Sequence, residues 1–201
     1  MELNKNFMKK ILIVNGHEHW PNSPGTLNST LTQSAFDFFK ELDYEVKTTV
    51  VNDGFNVDDE VEKYLWANII IYFSPVYWFD IPAGFKSYIE KVFSGGKGKL
   101  FIDDGRSNGG KYGTGGLLDT KKYMFITTWN APEEAFNNAT SSFIFDNKSV
   151  DDVFLGFHSA QKFLGLKKMP GIHFFDVKRN PEIDRFKRDL VHHLNFNLNF
   201  K

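Results

Sequence analysis

A doubly wound α/β fold with a five-stranded parallel sheet is what this sequence predicts, on three observations. Short apolar runs alternate with longer stretches whose apolar residues recur at helical spacing, the pattern of successive strand–helix–strand units. The most apolar run, Ile69–Phe73, is β-branched and aromatic without polar alternation, as expected of a strand buried on both faces. The segments after the first, third and fourth runs hold turn-forming and aromatic residues, and in a doubly wound sheet those loops meet at the edge where ligands bind.

Residues 1–8 read as a loose leader before the first strand, Ile11–Val14. Its loop, Asn15–Gly25, enters a helix over Thr26–Leu42 that carries Leu27, Leu31, Ala35, Phe38 and Phe39 at helical spacing. Ser23, Thr26 and Asn28 fall where caps and helix N-terminal donors are expected. Tyr44–Val51 is the second strand, Asp58–Trp66 a short amphipathic helix, and Ile69–Phe73 the third strand, ended by Pro75. Val76, Tyr77, Trp78 and Phe79 lead to Pro82, which suits the first turn of a helix reaching Phe93. Ser94–Thr120 is a glycine-rich insertion before the fourth strand; it holds nine of the sixteen glycines, and Leu100–Ile102 is expected to pair with Leu117–Leu118. A loop of that length inside a domain is usually functional or partly structured. Tyr123–Thr128 is the fourth strand, and Glu133–Ser149 a polar surface excursion. Val150–Leu164 reads as one helix capped by Gly165, Gly171–Phe175 as the fifth strand, and Pro181–Leu194 as the last helix before a frayed tail at 196–201. At 201 residues a single domain accounts for the chain.

A net charge of -1 and a pI near 6.6 give no electrostatic case for nucleic acid or an anionic membrane. The absence of cysteine excludes disulfides, thiolate nucleophiles and cysteine-ligated metal or iron–sulfur centres. MELNKNFMKK lacks a signal-peptide core and no apolar run has membrane-spanning length, so a soluble cytoplasmic protein without membrane insertion is expected. The 22 phenylalanines suit core and interface positions.

The first loop has neither G-x-G-x-x-G nor G-x-x-x-x-G-K-[ST], which counts against a Rossmann dinucleotide fingerprint and a P-loop NTPase. Ser23-Pro24-Gly25-Thr26-Leu27-Asn28 instead offers small hydroxyls and free N–H groups at a helix start, suited to a phosphate; a capped helix beside a solvated loop is the alternative. Val76–Phe79 offers a platform for a planar cofactor, or ordinary core aromatics under a loop, and Thr128, Trp129 and Asn130 face the same edge. Together the three loops suggest flavin more than nucleotide hydrolysis. His17 and His19 around Glu18 make a poor metal site, Asp103-Asp104 reads as a turn before Gly105, and His158 as a structural histidine. The order of residues shows no Ser–His–Asp arrangement.

Several stretches are similar to the modulator of drug activity B family. They are Ser23–Thr30, Leu65-Trp66-Ala67, Pro75 to Pro82, Lys111-Tyr112-Gly113-Thr114-Gly115-Gly116, Thr128-Trp129-Asn130-Ala131-Pro132 with Glu134-Ala135-Phe136, and Val153-Phe154 with Phe157-His158 and Phe163-Leu164-Gly165. The similarity spans about residues 9–195. It implies a flavodoxin-like sheet of order 2-1-3-4-5, a homodimer, and FAD, with FMN the lesser expectation. It also implies two-electron reduction of a quinone or similar small acceptor by NADPH or NADH through ping-pong hydride transfer. By position, Ser23, Pro24, Gly25, Thr26, Leu27, Asn28, Ser29 and Thr30 would hold the FAD phosphates. Pro75, Val76, Tyr77, Trp78 and Phe79 would lie along the ring, Thr128, Trp129, Asn130 and Ala131 at its edge, and Tyr112 would reach it from the insertion; Tyr112 is also our candidate for polarising a substrate oxygen. Two departures stand out: Val76-Tyr77 replaces Gly-Trp, and the insertion is shorter between Arg106 and Lys111. A flavodoxin-type electron carrier and a regulatory flavoprotein subunit of a membrane transport system stay open beside the enzyme.

Overall fold

The computed structural model describes residues 10–139 and 144–198. Four parallel strands make the centre of the sheet: β1 (Lys10–Asn15), β2 (Glu45–Val50), β3 (Ile69–Pro75) and β4 (Lys122–Thr128). Two short edge strands, β5 (Lys167–Lys168) and β6 (Ile172–Phe174), both pair with β4, so the order is β2-β1-β3-β4-β5. The expected 2-1-3-4-5 topology is borne out. The residues that form β3 are all fully buried up to Ser74, because helices cover both faces of the sheet.

The helices are α1 (Thr26–Glu41), α2 (Val57–Trp66), α3 (Ala83–Gly95), α4 (Val150–Val153), α5 (Leu155–Phe163) and α6 (Ile183–Leu198). Alternate residues of each strand feed two cores. Leu12, Val14, Ile70 and Tyr72 face α2, α3 and α5, whereas Ile11, Ile13, Ile69, Ile71 and Phe73 face α1 and α6. On the first side Tyr72 donates or accepts within a buried chain, 2.8 Å from both the Tyr64 hydroxyl and Gln161 Oε1. Nearby, Glu60 accepts from Thr49, Tyr88 and Lys63, which satisfies a carboxylate that is only 2% exposed.

The structure corrects five expectations. The third strand continues through Pro75, since Pro75 still pairs with Thr128 while its missing N–H is not needed there. The fifth strand is in two pieces separated at Met169–Gly171: Pro170 cannot donate to the ladder, and Gly171 lies so close to β4 that a Cβ would sit 2.3 Å from the Phe125 carbonyl oxygen. The single helix over 150–164 breaks at Phe154. The tail is helical through Leu198, whose side chain is buried with Leu194 against α1, so the helix is held by packing past the predicted end. The excursion after β4 is also less superficial than its polarity suggests, with Ala135, Phe136 and Phe145 buried. The expected pairing in the insertion is present as a bridge between Phe101 and Gly116, flanked by bonds from Ile102 N–H to Gly115 and Leu117 N–H to Leu100 (both 2.9 Å). The leader at residues 1–8 and the end of the tail lie outside the described residues.

Asp103-Asp104 forms a turn, with Gly105 N–H bonded to Asp103 Oδ1 (2.6 Å) and Arg106 held by Asp104. His158 bonds the Tyr123 hydroxyl through Nδ1 (2.8 Å) and faces Asp151 through Nε2 (3.0 Å). The His158 bond, ahead of its partner Lys168, holds the Asp151 carboxyl well below the usual carboxylate range, while burial raises the Tyr123 hydroxyl. No helix of the described residues is long and apolar enough to cross a membrane.

Candidate functional site

Backbone and side-chain bonds join the loops that leave β1, β3 and β4. Gly16 N–H donates to the Phe73 carbonyl (2.8 Å) and Val76 N–H to the Thr128 carbonyl (3.0 Å). Asn28, in the first turn of α1, donates through Nδ2 to Asn15 Oδ1 (2.7 Å) and to the Phe73 carbonyl (3.3 Å). Its amide nitrogen is therefore spent on tying α1 to the two strands, while its Oδ1 is buried without a partner. What remains toward the edge is the backbone of the helix start.

That start is open. Gly25 is the cap residue at φ 83°, no side chain caps the helix, and the first turn holds no acidic residue. The first intrahelical acceptor bond runs from Ser29 N–H to Gly25, which leaves the N–H groups of Thr26, Leu27 and Asn28 pointing out of the helix. Ser23 and Thr26, expected as caps, do not cap. Beside this end lies His17, which is 7% exposed, with neither ring nitrogen in a hydrogen bond of normal geometry, the Pro24 carbonyl making only an approach. The ring presses on Gly25 so closely that a Cβ there would sit 2.0 Å from Nε2, in addition to the strain of a left-handed backbone. Burial lowers the His17 pKa first, His19 second, against opposing pulls from the Pro24 carbonyl, Asp53 and Glu18. Three outward N–H groups and an unpartnered imidazole at a helix N-terminus are a donor set for an anion, and they fit a phosphate.

The β3 loop turns sharply. Tyr77 and Asp80 exchange backbone bonds (2.9 and 3.1 Å), and the two residues between them, Trp78 and Phe79, have φ of 48° and 68°. Positive φ at two bulky residues costs on the order of 1–3 kcal/mol each and is held only where the surroundings enforce it. The result is an exposed aromatic tip: Trp78 is 94% exposed, and Phe79 sits edge-on to Phe145 at 5.8 Å. Val76 and Tyr77 have used their N–H groups in the loop, so Trp78 and Phe79 hold the donors left on this side. Tyr77 turns back, its hydroxyl donating to the Glu18 carbonyl (2.9 Å).

In the β4 loop Thr128 and Trp129 are buried. The Trp129 indole N–H donates to Thr127 Oγ1 (2.8 Å), which also meets His173 Nδ1 (2.7 Å); burial pushes the His173 pKa down to about 4. Trp129 packs with Phe136, Phe145 and Phe154 and forms a floor under the site, with Asn130 and Ala131 at the rim. Tyr112 is elsewhere. It stacks obliquely on Phe163 at 6.0 Å, and Phe163 ends α5 beside β5, which pairs with the first residues of β4. The aromatic tip follows the last residues of β3, a strand's length of about 20 Å away. Within one chain the structure thus brings together Ser23–Thr30, Pro75–Phe79 and Thr128–Ala131, and leaves Tyr112 at the opposite edge. His17 is the residue that sequence reading weighed only as a poor metal ligand; its place immediately after a buried strand and Gly16 was the available signal.

A sheet of this order, with an anion-competent helix start and an aromatic tip at the ends of β1 and β3, defines a flavodoxin-like protein. A family model, Flavodoxin_2, described as a flavodoxin-like fold, matches residues 9–194, and the chain belongs to that family. It is 43% identical over 178 residues to an uncharacterised protein of Schizosaccharomyces pombe, covering 87% of this chain and 90% of that one. It is 38% identical over 187 residues to the NADPH:quinone oxidoreductase MdaB of Haemophilus influenzae, covering 92% and 96%. The resemblance to the modulator of drug activity B family is thereby borne out. Among solved structures, an NADPH-quinone reductase from P. pentosaceus superposes with a TM-score of 0.68 at 18% identity, covering 96% of this chain and all of that one. A general stress protein 14 from Treponema denticola, in complex with FMN, superposes with a TM-score of 0.66 at 16% identity, covering 94% and 98%.

Proposed function

We propose that this chain is an NADPH:quinone oxidoreductase that works with FAD. The observation that carries this reading is the open start of α1 with the unpartnered His17 beside it, on the same edge as the exposed aromatic tip. The named activity of the Haemophilus relative supports the substrate pair. FAD is preferred to FMN on the family resemblance. A bound flavin supplies a ring that takes two electrons from NADPH and passes them to a quinone in alternating half-reactions.

The protein's part is binding and orientation. The N–H groups of Thr26, Leu27 and Asn28, with His17, would hold the phosphates, and Ser23 and Gly25 would shape the approach. Val76, Trp78 and Phe79 would supply the side along the ring, the Trp78 and Phe79 N–H groups would be the donors for its heteroatoms, and Asn130 and Ala131 would meet its edge over the Trp129 floor. Fixing both partners against one ring supplies most of the rate enhancement. Trp20 and Trp78 are exposed at 54% and 94%, which fits a second copy of the chain covering this edge as a homodimer. Because Tyr112 is far from its own chain's site, a Tyr112 would polarise a quinone oxygen there only if the partner's glycine-rich insertion, not its aromatic tip, covers this edge.

Purified protein is expected to show visible flavin absorbance, to release FAD on heating, and to oxidise NADPH rapidly only with menadione present. Absence of flavin absorbance after reconstitution with FAD and FMN would sink the reading. Tyr112→Phe should lower quinone turnover with flavin retained, and a mixed dimer with a flavin-free variant should recover it. The chain is expected to act in the cytoplasm.

A further inference from the structure

We propose that Tyr77 is a positioning residue that clamps the phosphate-side loop through its hydroxyl, rather than a face for the ring. The four residues Val76–Phe79 look alike in sequence as an aromatic run, yet Tyr77 and Trp78 point to different tasks. Trp78 stands in solvent at 94% exposure. Tyr77 is half-buried, and its hydroxyl lies 2.9 Å from the Glu18 carbonyl and 3.4 Å from the Ser23 carbonyl, across 59 and 54 residues of chain. Burial raises its pKa, so it stays a donor at any physiological pH.

The two carbonyls flank the tip of the β1 loop. Trp20 and Ser23 exchange backbone bonds (3.1 and 2.8 Å), which closes a turn over Pro21-Asn22. One hydroxyl therefore reaches both legs of this turn, bonding the nearer Glu18 carbonyl with Ser23 as its alternate. The same loop is held on its other side, where Glu18 Oε2 accepts from Gly84 N–H (3.0 Å) at the start of α3 and His19 N–H donates to Asn52 Oδ1 (3.0 Å). Tyr77 itself cannot drift, because its N–H and C=O are both bonded to Asp80.

Ser23 is two residues from Gly25 and the open helix start. A loop containing two prolines and two glycines must be ordered before its end can present aligned donors, and ordering it during binding weakens binding. The clamp orders it in advance and couples the phosphate side to the ring side of the site. What the loop holds rests on the flavin reading; the clamp itself does not.

The test is Tyr77→Phe, which keeps the ring and removes the hydroxyl. In flavin-free protein, hydrogen exchange of the amides in residues 16–25 is expected to speed up about tenfold, with the β3 and α3 amides unchanged. Trp78→Ala, which removes a neighbour that makes no bond to the loop, should leave that exchange at the wild-type rate. With FAD, Tyr77→Phe should bind about tenfold more weakly. Unchanged exchange in Tyr77→Phe, or equal acceleration in Trp78→Ala, overturns the clamp. If wild-type protein binds no flavin the proposed function falls, while the exchange comparison still decides the clamp.

Discussion

Helices α1 and α2 begin in opposite ways. At α2, Asn56 caps by accepting from Asp59 N–H (3.1 Å), and Asp58, Asp59 and Glu60 fill the first turn with negative charge. At α1 there is a glycine in the left-handed region, no side-chain cap and no acid. Two further starts carry negative charge or a cap: α4 has a capping box between Ser149 and Asp152, and α3 receives the Glu18 carboxylate on Gly84, while α5 follows directly on α4 with neither cap nor acid. A cap is worth about 1 kcal/mol and first-turn acids add roughly 0.3–1 kcal/mol. The chain uses these devices at α2, α3 and α4 and leaves them out where His17 is buried without partners. Under the proposed function, a helix end left unsatisfied beside His17 is where a group bringing its own negative charge would bind.

Four changes break or sharpen this contrast. The largest effect is expected from Gly25→Ala, because the new methyl would enter the His17 ring and the backbone would stay left-handed. We expect loss of flavin binding and a stability decrease of at least about 2 kcal/mol, read from visible absorbance and urea denaturation. Thr26→Asp makes α1 resemble α2. The flavin-free protein should gain about 0.5 kcal/mol while the flavin dissociation constant rises about tenfold; a variant with unchanged affinity would show that no anion sits at that end. Asn56→Ala removes the α2 cap and should cost about 1 kcal/mol in denaturation with no effect on flavin affinity.

The smallest effect concerns pH. The folded His17 pKa is lowered from its ordinary 6.5, so the unfolded chain holds more protons below that pH. The contribution of neutral His17 is complete above pH 6.5 and is lost as the pH falls toward the lowered folded value. An anion reverses the preference by favouring the charged ring. Affinity for inorganic pyrophosphate, measured by calorimetry, should therefore rise as the pH falls through this range, and His17→Gln should flatten the profile.

Much of the fold was legible because periodicity is a local property. Ile69–Phe73 reads as a buried strand because five consecutive β-branched and aromatic side chains closed by Pro75 suit one, and the spacing of Leu27, Leu31, Ala35 and Phe39 puts them on one face of a helix. The break in the edge strand was harder to see. It depends on Pro170 meeting a ladder position and on Gly171 meeting the Phe125 carbonyl, both of which exist only once β4 is beside them. The last turns of α6 were misread for a similar reason: LNFNLNF is a weak helix on its own, and burial of Leu194 and Leu198 against α1 holds it.

The site divides along the same line. From the chain alone came the three loops, the open Ser23–Asn28 helix start, the aromatic run before Pro82, and the family resemblance that joins them. The folded structure assigned the individual side chains. Asn28 is consumed as a tie between strands, Trp129 as a floor, Tyr77 as a link to the β1 loop, and Tyr112 sits a strand's length from the site that it was expected to serve. His17 is the converse case, a residue of no account in sequence that becomes the most exposed question in the core. The reason is physical. Strand and helix preferences are set by neighbours a few residues away, so sequence determines them. Whether a polar atom is satisfied is set by groups tens of residues distant, and only the tertiary structure decides that.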